Sequence, residues 1–197
     1  MSLTERTAER TVADRYAASM EEIQAFVDAT YRVIARTGSV DPPLRAVIAE
    51  AGLNTQAFYR YFRSKDELLL LLLDDGRRRL VGYLDHRMAK ASNPEDRVRA
   101  WVEGVLAQAS SQDVATRTRP FLANQARLAE QFPEEQQSSV DLLVDLVAPA
   151  VPSRADAEAI YRLTFATLLD HLNRGTRPSR AETDELVRFS LRGAGLE

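Results

Sequence analysis

Apolar residues recur at helical spacing along almost the whole chain. Ile23, Phe26, Val27, Thr30, Tyr31 and Ile34 follow one another at steps of three and four, which draws a single stripe down a helix that Gly38 ends. Leu44, Val47, Ile48 and Ala51 form a shorter stripe stopped by Gly52, with Asp41 ahead of Pro42 as its expected cap and start. After Leu53-Asn54 a second short stripe turns Phe58, Tyr61 and Phe62 inward. Ser64-Lys65-Asp66-Glu67 reads as a capping box, serine at the cap and glutamate three positions on. Leu68 to Leu73 are apolar all round, so the helix they begin should be buried on several sides. Continued to Met88, it would span about 36 Å at about 1.5 Å per residue.

The second half keeps the same period. Asn93-Pro94-Glu95-Asp96 opens a helix with Val98, Trp101, Val102, Val105, Leu106 and Ala109 inside. Ser110 to Thr118 breaks the pattern as a loop or short turn, and from Pro120 the inner positions read Phe121, Leu122, Gln125, Leu128, Ala129 and Phe132. Gln125 is an amide on an apolar stripe, either bonded to a neighbouring helix or orienting a ligand. After Pro133 come Val140, Leu143, Val144, Leu146 and Val147, up to the Pro149/Pro152 break. The helix capped by Ser153 has two apolar sides, Ile160, Leu163, Thr167 and His171 on one and Tyr161, Phe165, Leu168 and Leu172 on the other, implying partners on both. Gly175 ends it, and a second capping box from Ser179 to Glu182 opens a last helix with Leu186, Val187 and Leu191. No period-two run bounded by turns interrupts these stripes, so the expected fold is all-α.

Composition narrows the chemistry. The 197 residues, 45% hydrophobic and 28% charged, can bury a real core and are long enough for a small domain joined to a larger one. There is no cysteine and the only histidines are His86 and His171, so neither a disulfide nor a metal site is expected. Glycine loops for nucleotides, nucleophile elbows and paired catalytic groups are absent, so neither an enzyme nor a cofactor is expected. Met1 to Ser19 alternates Arg, Glu, Thr and Ala without an apolar core, and no stretch is long enough to span a bilayer, so the expected location is the cytoplasm. In this extension Arg6, Arg10 and Arg15 either form an arm against DNA or lie on a solvated, partly frayed helix balanced by Glu5, Glu9 and Asp14. Arg77, Arg78 and Arg79 point around their helix and are expected on a solvated surface. His171 is expected to be packed rather than to act as a proton switch.

The net charge of -3 argues against a protein that coats nucleic acid, but the signs are uneven. Between Glu50 and Asp66 there is no acidic residue, while Arg60, Arg63 and Lys65 fall close together. The two short stripes around Gly52 make a helix-turn-helix, whose second helix can enter a major groove. Its expected outward residues are Thr55, Gln56, Ala57 and Arg60. The amide of Gln56 suits adenine, Arg60 suits guanine or phosphate, and the Tyr59 hydroxyl suits a phosphate oxygen. Arg45 would face the backbone from the supporting helix or simply be solvated.

The run Val47-x-x-x-Ala51-Gly52-Leu53-Asn54-x-x-x-Phe58-Tyr59-x-Tyr61-Phe62-x-Ser64-Lys65-x-x-Leu68-Leu69 resembles the DNA-binding domain of TetR-family transcriptional regulators over roughly Met20 to Leu73. The resemblance implies that Tyr59 and Lys65 contact phosphate and that Thr55, Gln56, Ala57 and Arg60 hold base-reading positions. Pro43 stands where the family usually has a threonine cap, and Ile48 where it usually has alanine. It further implies an all-helical C-terminal domain that dimerises, through the helices after Pro133 and Ser153, and usually binds a small effector. The resulting organisation is an extension over 1–19, a DNA-binding head over 20–63 and a ligand-binding, dimerising bundle over 64–197. The expected function is repression at a pseudo-palindromic operator, relieved by a small, mostly apolar effector; the alternative is a helical small-molecule or protein-binding module without specific DNA binding. Leu72, Trp101, Val105, Phe121, Gln125, Leu128 and Phe165 are the candidate pocket lining by periodicity.

Overall fold

A computed structural model describes residues 1–39, 41–110, 124 and 126–196, and its regular elements are helices, with no strand among the described residues. The chain divides into two compact units, Met1–Leu72 and Leu73–Glu197. A helix opens just after Ser64, as its capping residues imply, and the two compact units divide farther on, inside that helix.

In the first unit, α1 (Leu3–Thr37) is a single helix of 35 residues. Its start is far earlier than the apolar stripe suggested, because a complete capping box, Ser2 with Glu5, nucleates it well before any burial begins. Met1 to Ala18 are exposed throughout, so this part is a helix of local origin. Further on, Phe26, Val27, Ala29, Thr30, Val33 and Ile34 turn into the core, and Gly38, at φ 65°, caps the end by donating to the Ile34 carbonyl at 2.8 Å.

The next element, α2 (Leu44–Ala51), starts without a side-chain cap. Asp41 does not cap it: Pro43 occupies the cap position, and its carbonyl accepts from Ala46 at 2.9 Å and Val47 at 3.2 Å. Asp41 pairs with Lys65 instead. The recognition element α3 (Thr55–Tyr61) and α4 (Lys65–Met88) follow. At the head of α4 the Ser64 hydroxyl accepts from the Glu67 amide at 3.2 Å, but the Glu67 carboxylate reaches back to the Arg63 amide, one residue short of a reciprocal box. Leu68, Leu69 and Leu72 are fully buried. Tyr31 on α1 donates to the Leu72 carbonyl at 3.1 Å, tying α4 to α1 within this unit.

In the second unit, α5 (Pro94–Leu106), α6 (Pro133–Val147), α7 (Arg154–Arg174) and α8 (Arg180–Gly193) pack with the later part of α4 around one apolar core. Trp101 is completely buried, and its indole donates to the Leu143 carbonyl at 3.2 Å, satisfying the one polar atom it carries. Gly104 lets α4 and α5 approach closely, since a Cβ there would meet Leu84 Cδ2 at 2.5 Å. Helix α7 begins under Ser153, whose hydroxyl accepts from the Asp156 amide at 3.2 Å. It ends at Gly175, with φ 66°. His171 is buried beside that end, its Nδ1 at 2.8 Å from the Thr176 hydroxyl and its Nε2 at 3.1 Å from the Glu182 carboxylate. It joins the end of α7 to the capping box of α8.

Candidate nucleic-acid interface

The helix-turn-helix is built from α2, a left-handed glycine and α3. Gly52 adopts φ 68°, a conformation that favours glycine, and its amide returns to the Ala49 carbonyl. The chain then re-enters a helix at Asn54, whose side chain accepts from the Ala57 amide at 2.8 Å. A cap this close behind a glycine stop fixes where α3 begins.

An aromatic cluster fixes which side of α3 faces out. Phe58 is fully buried and meets Phe26 of α1 edge-on, ring centres 5.5 Å apart at 88°, while Phe62 meets the same ring at 5.8 Å and 85°. Thr55, Gln56, Tyr59 and Arg60 are left exposed on the other side. Tyr59 is 59% exposed, with its ring braced against Phe58 at 5.3 Å, so its hydroxyl is free to reach a phosphate while its body is held. Arg45 is exposed on α2.

Ala57 is the correction on this surface: it is buried, not outward. It lies four residues before the half-buried Tyr61 and so shares its side of the helix, and its amide is already committed to the Asn54 cap. The outward row therefore skips from Gln56 to Tyr59.

The charge pattern also differs from expectation. The stretch from Ala51 to Lys65 carries no carboxylate of its own, but two arrive from elsewhere in the fold. Glu22 of α1 forms an ion pair with Arg60, whose guanidinium also lies 5.0 Å from the centre of the Tyr61 ring. Asp41 pairs with Lys65. Glu22 is four residues before Phe26, on the same side of α1, and Phe26 touches Phe58 two positions before Arg60. That register is the signal that could have found the pair. Behind α2, Glu50 accepts from Arg36 at 2.6 Å and Arg32 at 2.9 Å, and these hydrogen bonds hold its carboxyl below the ordinary value of 4.5.

Residues 26–72 match the family model described as bacterial regulatory proteins, tetR family. Over that segment the chain is similar to the TetR family. The match ends at Leu72, where the first compact unit ends. A curated relative, the HTH-type transcriptional regulator BetI of Brucella canis, is 31% identical over 75 residues. That alignment spans 38% of this chain and 38% of the relative's length. Among solved structures, the regulator SCO7518 of Streptomyces coelicolor A3(2) aligns with a TM-score of 0.72 at 16% identity, over 88% of this chain and 98% of its own. FadR of Bacillus subtilis, solved in complex with stearoyl-CoA, aligns at 0.61 with 14% identity, over 86% of this chain and 98% of its own. At these identities the structural likeness shows the fold alone, an all-helical architecture.

The pocket residues fare unevenly. Trp101, Val105 and Leu128 are fully buried and Phe165 is half-buried with its ring 6.4 Å from Trp101. Leu72 is buried but is counted in the first unit, and Phe121 and Gln125 lie outside the described residues. Among the described residues no cluster of three His, Cys, Asp or Glu could hold a metal ion, and no helix is long and apolar enough to cross a membrane.

Proposed function

We propose that this chain is a cytoplasmic transcriptional regulator rather than an enzyme, a repressor that binds a pseudo-palindromic operator as a homodimer and is released by a small, mostly apolar effector. The observation that carries the DNA-binding part is the exposed row Thr55, Gln56, Tyr59 and Arg60 on a helix held at both the cap and its aromatic underside. Gln56 reads a base, Tyr59 and Lys65 grip phosphate, and Arg60 serves either once it leaves Glu22. Two copies related by a two-fold axis would address half-sites about one helical turn apart.

For the dimer, the supporting feature is an apolar groove between α7 and α8, lined by Ile160, Leu163, Phe189 and Ala194. Phe189 is 61% exposed and Leu163 37%. These side chains support a face that includes α7 and α8. An apolar effector is in keeping with the Trp101–Val105 interior and with the stearoyl-CoA bound by the FadR neighbour.

Selection of bound genomic fragments, followed by fluorescence anisotropy on operator variants, tests the reading. Gln56→Ala should lose about 1–3 kcal/mol of discrimination at one base position, while Lys65→Ala should weaken all variants evenly and lower the salt slope by about one unit. The second reading, a helical binding module without specific DNA affinity, is favoured by the pairing of both Arg60 and Lys65 with carboxylates. Failure to enrich any fragment at moderate salt would decide for it.

A further inference from the structure

In the second unit one half-buried cation, Arg77, has no ion-pair partner among the described residues. Arg78 and Arg79 turn outward onto Asp74 at 2.7 Å and Asp75 at 2.6 Å, one helical turn back. Arg77 does not: its Nη1 is sealed from solvent and donates to no acceptor. The expectation of a solvated arginine run is thus corrected at its first member. The acid within electrostatic reach is Asp74, and both its oxygens are committed, Oδ2 to Arg78 and Oδ1 to the Ser139 hydroxyl of α6 at 3.2 Å.

Tyr161 of α7 lies within electrostatic reach of Arg77. Burial pushes the Tyr161 hydroxyl's pKa up, more than the neighbouring guanidinium draws it down, so the group stays a neutral donor. The Tyr161 ring stacks on Phe165 at 4.4 Å, and Phe165 lies 6.4 Å from Trp101. One end of this arrangement is cationic with a hydroxyl beside it, and the rest is an aromatic row leading to the core.

Guanidinium does not lose its proton in a protein, so desolvation cannot be relieved by neutralising it. A buried, unpaired cation is costly to the folded state, and an anion that reaches it gains a charge-assisted hydrogen bond in a medium of low polarity. A metal ion has the wrong sign. A neutral apolar molecule would fit the aromatic row but leave the charge unanswered.

We propose that Arg77 anchors the anionic head of the effector, an organic acid with a long apolar body, with Tyr161 as second donor and the Phe165–Trp101 row alongside the body. This rests on the reading of the second unit as an effector-binding domain, and it adds the charge of the ligand to that reading.

Calorimetric titration of the full chain with straight-chain acids from octanoate to palmitate, and with the alcohols of the same lengths, tests it. At least one acid should bind about tenfold or more tightly than its alcohol, and Arg77→Met should level the two. Equal affinity of acid and alcohol in the unaltered chain overturns the anion site and leaves an apolar effector standing. Binding by none of the acids overturns it as well. Ligand-free Arg77→Met gives an independent measurement: loss of the unpaired charge should raise Tm by about 4 °C or more, whereas a fall in Tm would mean a structural partner and overturn the proposal. An acid that binds with this pattern, yet leaves DNA affinity unchanged in the same preparations, confirms the site and refutes the release mechanism, so the two failures are distinguishable.

Discussion

The arginines of the first unit contrast with one arginine of the second, Arg77. In Met1–Leu72, Arg32 and Arg36 share Glu50 and Arg60 takes Glu22, and all three arginines are more than half exposed. In Leu73–Glu197, Arg77 is half-buried, and its Nη1 is sealed from solvent with no hydrogen-bond partner among the described residues. Exposed ion pairs are worth about 0–1 kcal/mol each, so a carboxylate at Arg60 can be exchanged for a phosphate at little loss. A buried unpaired cation has no such exchange available until something anionic enters. The first arrangement suits reversible contact with a polyanion, and the second suits capture of a single anionic group.

The largest effect that would sharpen this contrast is structural. Phe58→Ala removes the ring that meets Phe26 and Phe62 and should cost about 3–5 kcal/mol. Denaturant unfolding followed through the head should show the loss, and a change below about 1 kcal/mol would mean that the aromatic underside does not hold the outward row in place.

A smaller effect probes the exchange itself. Glu22→Gln frees Arg60, so DNA affinity should rise by a small factor and the salt dependence should steepen by about one unit. Anisotropy across a salt series reads both quantities. Unchanged slope and affinity would show that Arg60 never leaves its intramolecular partner.

The smallest effect concerns pH. Because Arg36 and then Arg32 depress the Glu50 carboxyl, its contribution is fully present above the ordinary value of 4.5 and fades as pH falls through the lower value of the folded state. Thermal unfolding should therefore show a shallower loss of stability below that pH in Glu50→Gln than in the unaltered chain. Identical acid profiles would remove Glu50 from the account of how α2 is held to α1.

Much of the fold was legible because a helix declares its buried side by period. The stripes from Ile23 to Ile34 and from Val98 to Leu106, the Gly52 stop and the Asn54 start appear in the structure where the residues imply them. Capping chemistry was the stronger signal at Ser2, where Glu5 stands three positions on, yet a reading tuned to apolar stripes passes over a helix that buries nothing. Ala57 was misplaced because a small residue carries no marker of side, and only the register with Tyr61 decides it. Glu22 with Arg60, and Asp41 with Lys65, are contacts between elements separated in sequence, which composition along a window cannot see. Arg77 was hidden for the same reason: adjacent arginines look alike in a sequence, and which of the three is buried depends on what packs against α4.

The turn at Gly52 divides the head into positions of unequal freedom. Every single-residue replacement there adds a Cβ to a backbone at φ 68° and pays about 1 kcal/mol or more, although no atom lies within 4 Å to obstruct it. A few residues on, Thr55 and Gln56 are exposed. Divergence after gene duplication could therefore redirect such a head to a new DNA address one letter at a time, while the hinge that aims it stays fixed.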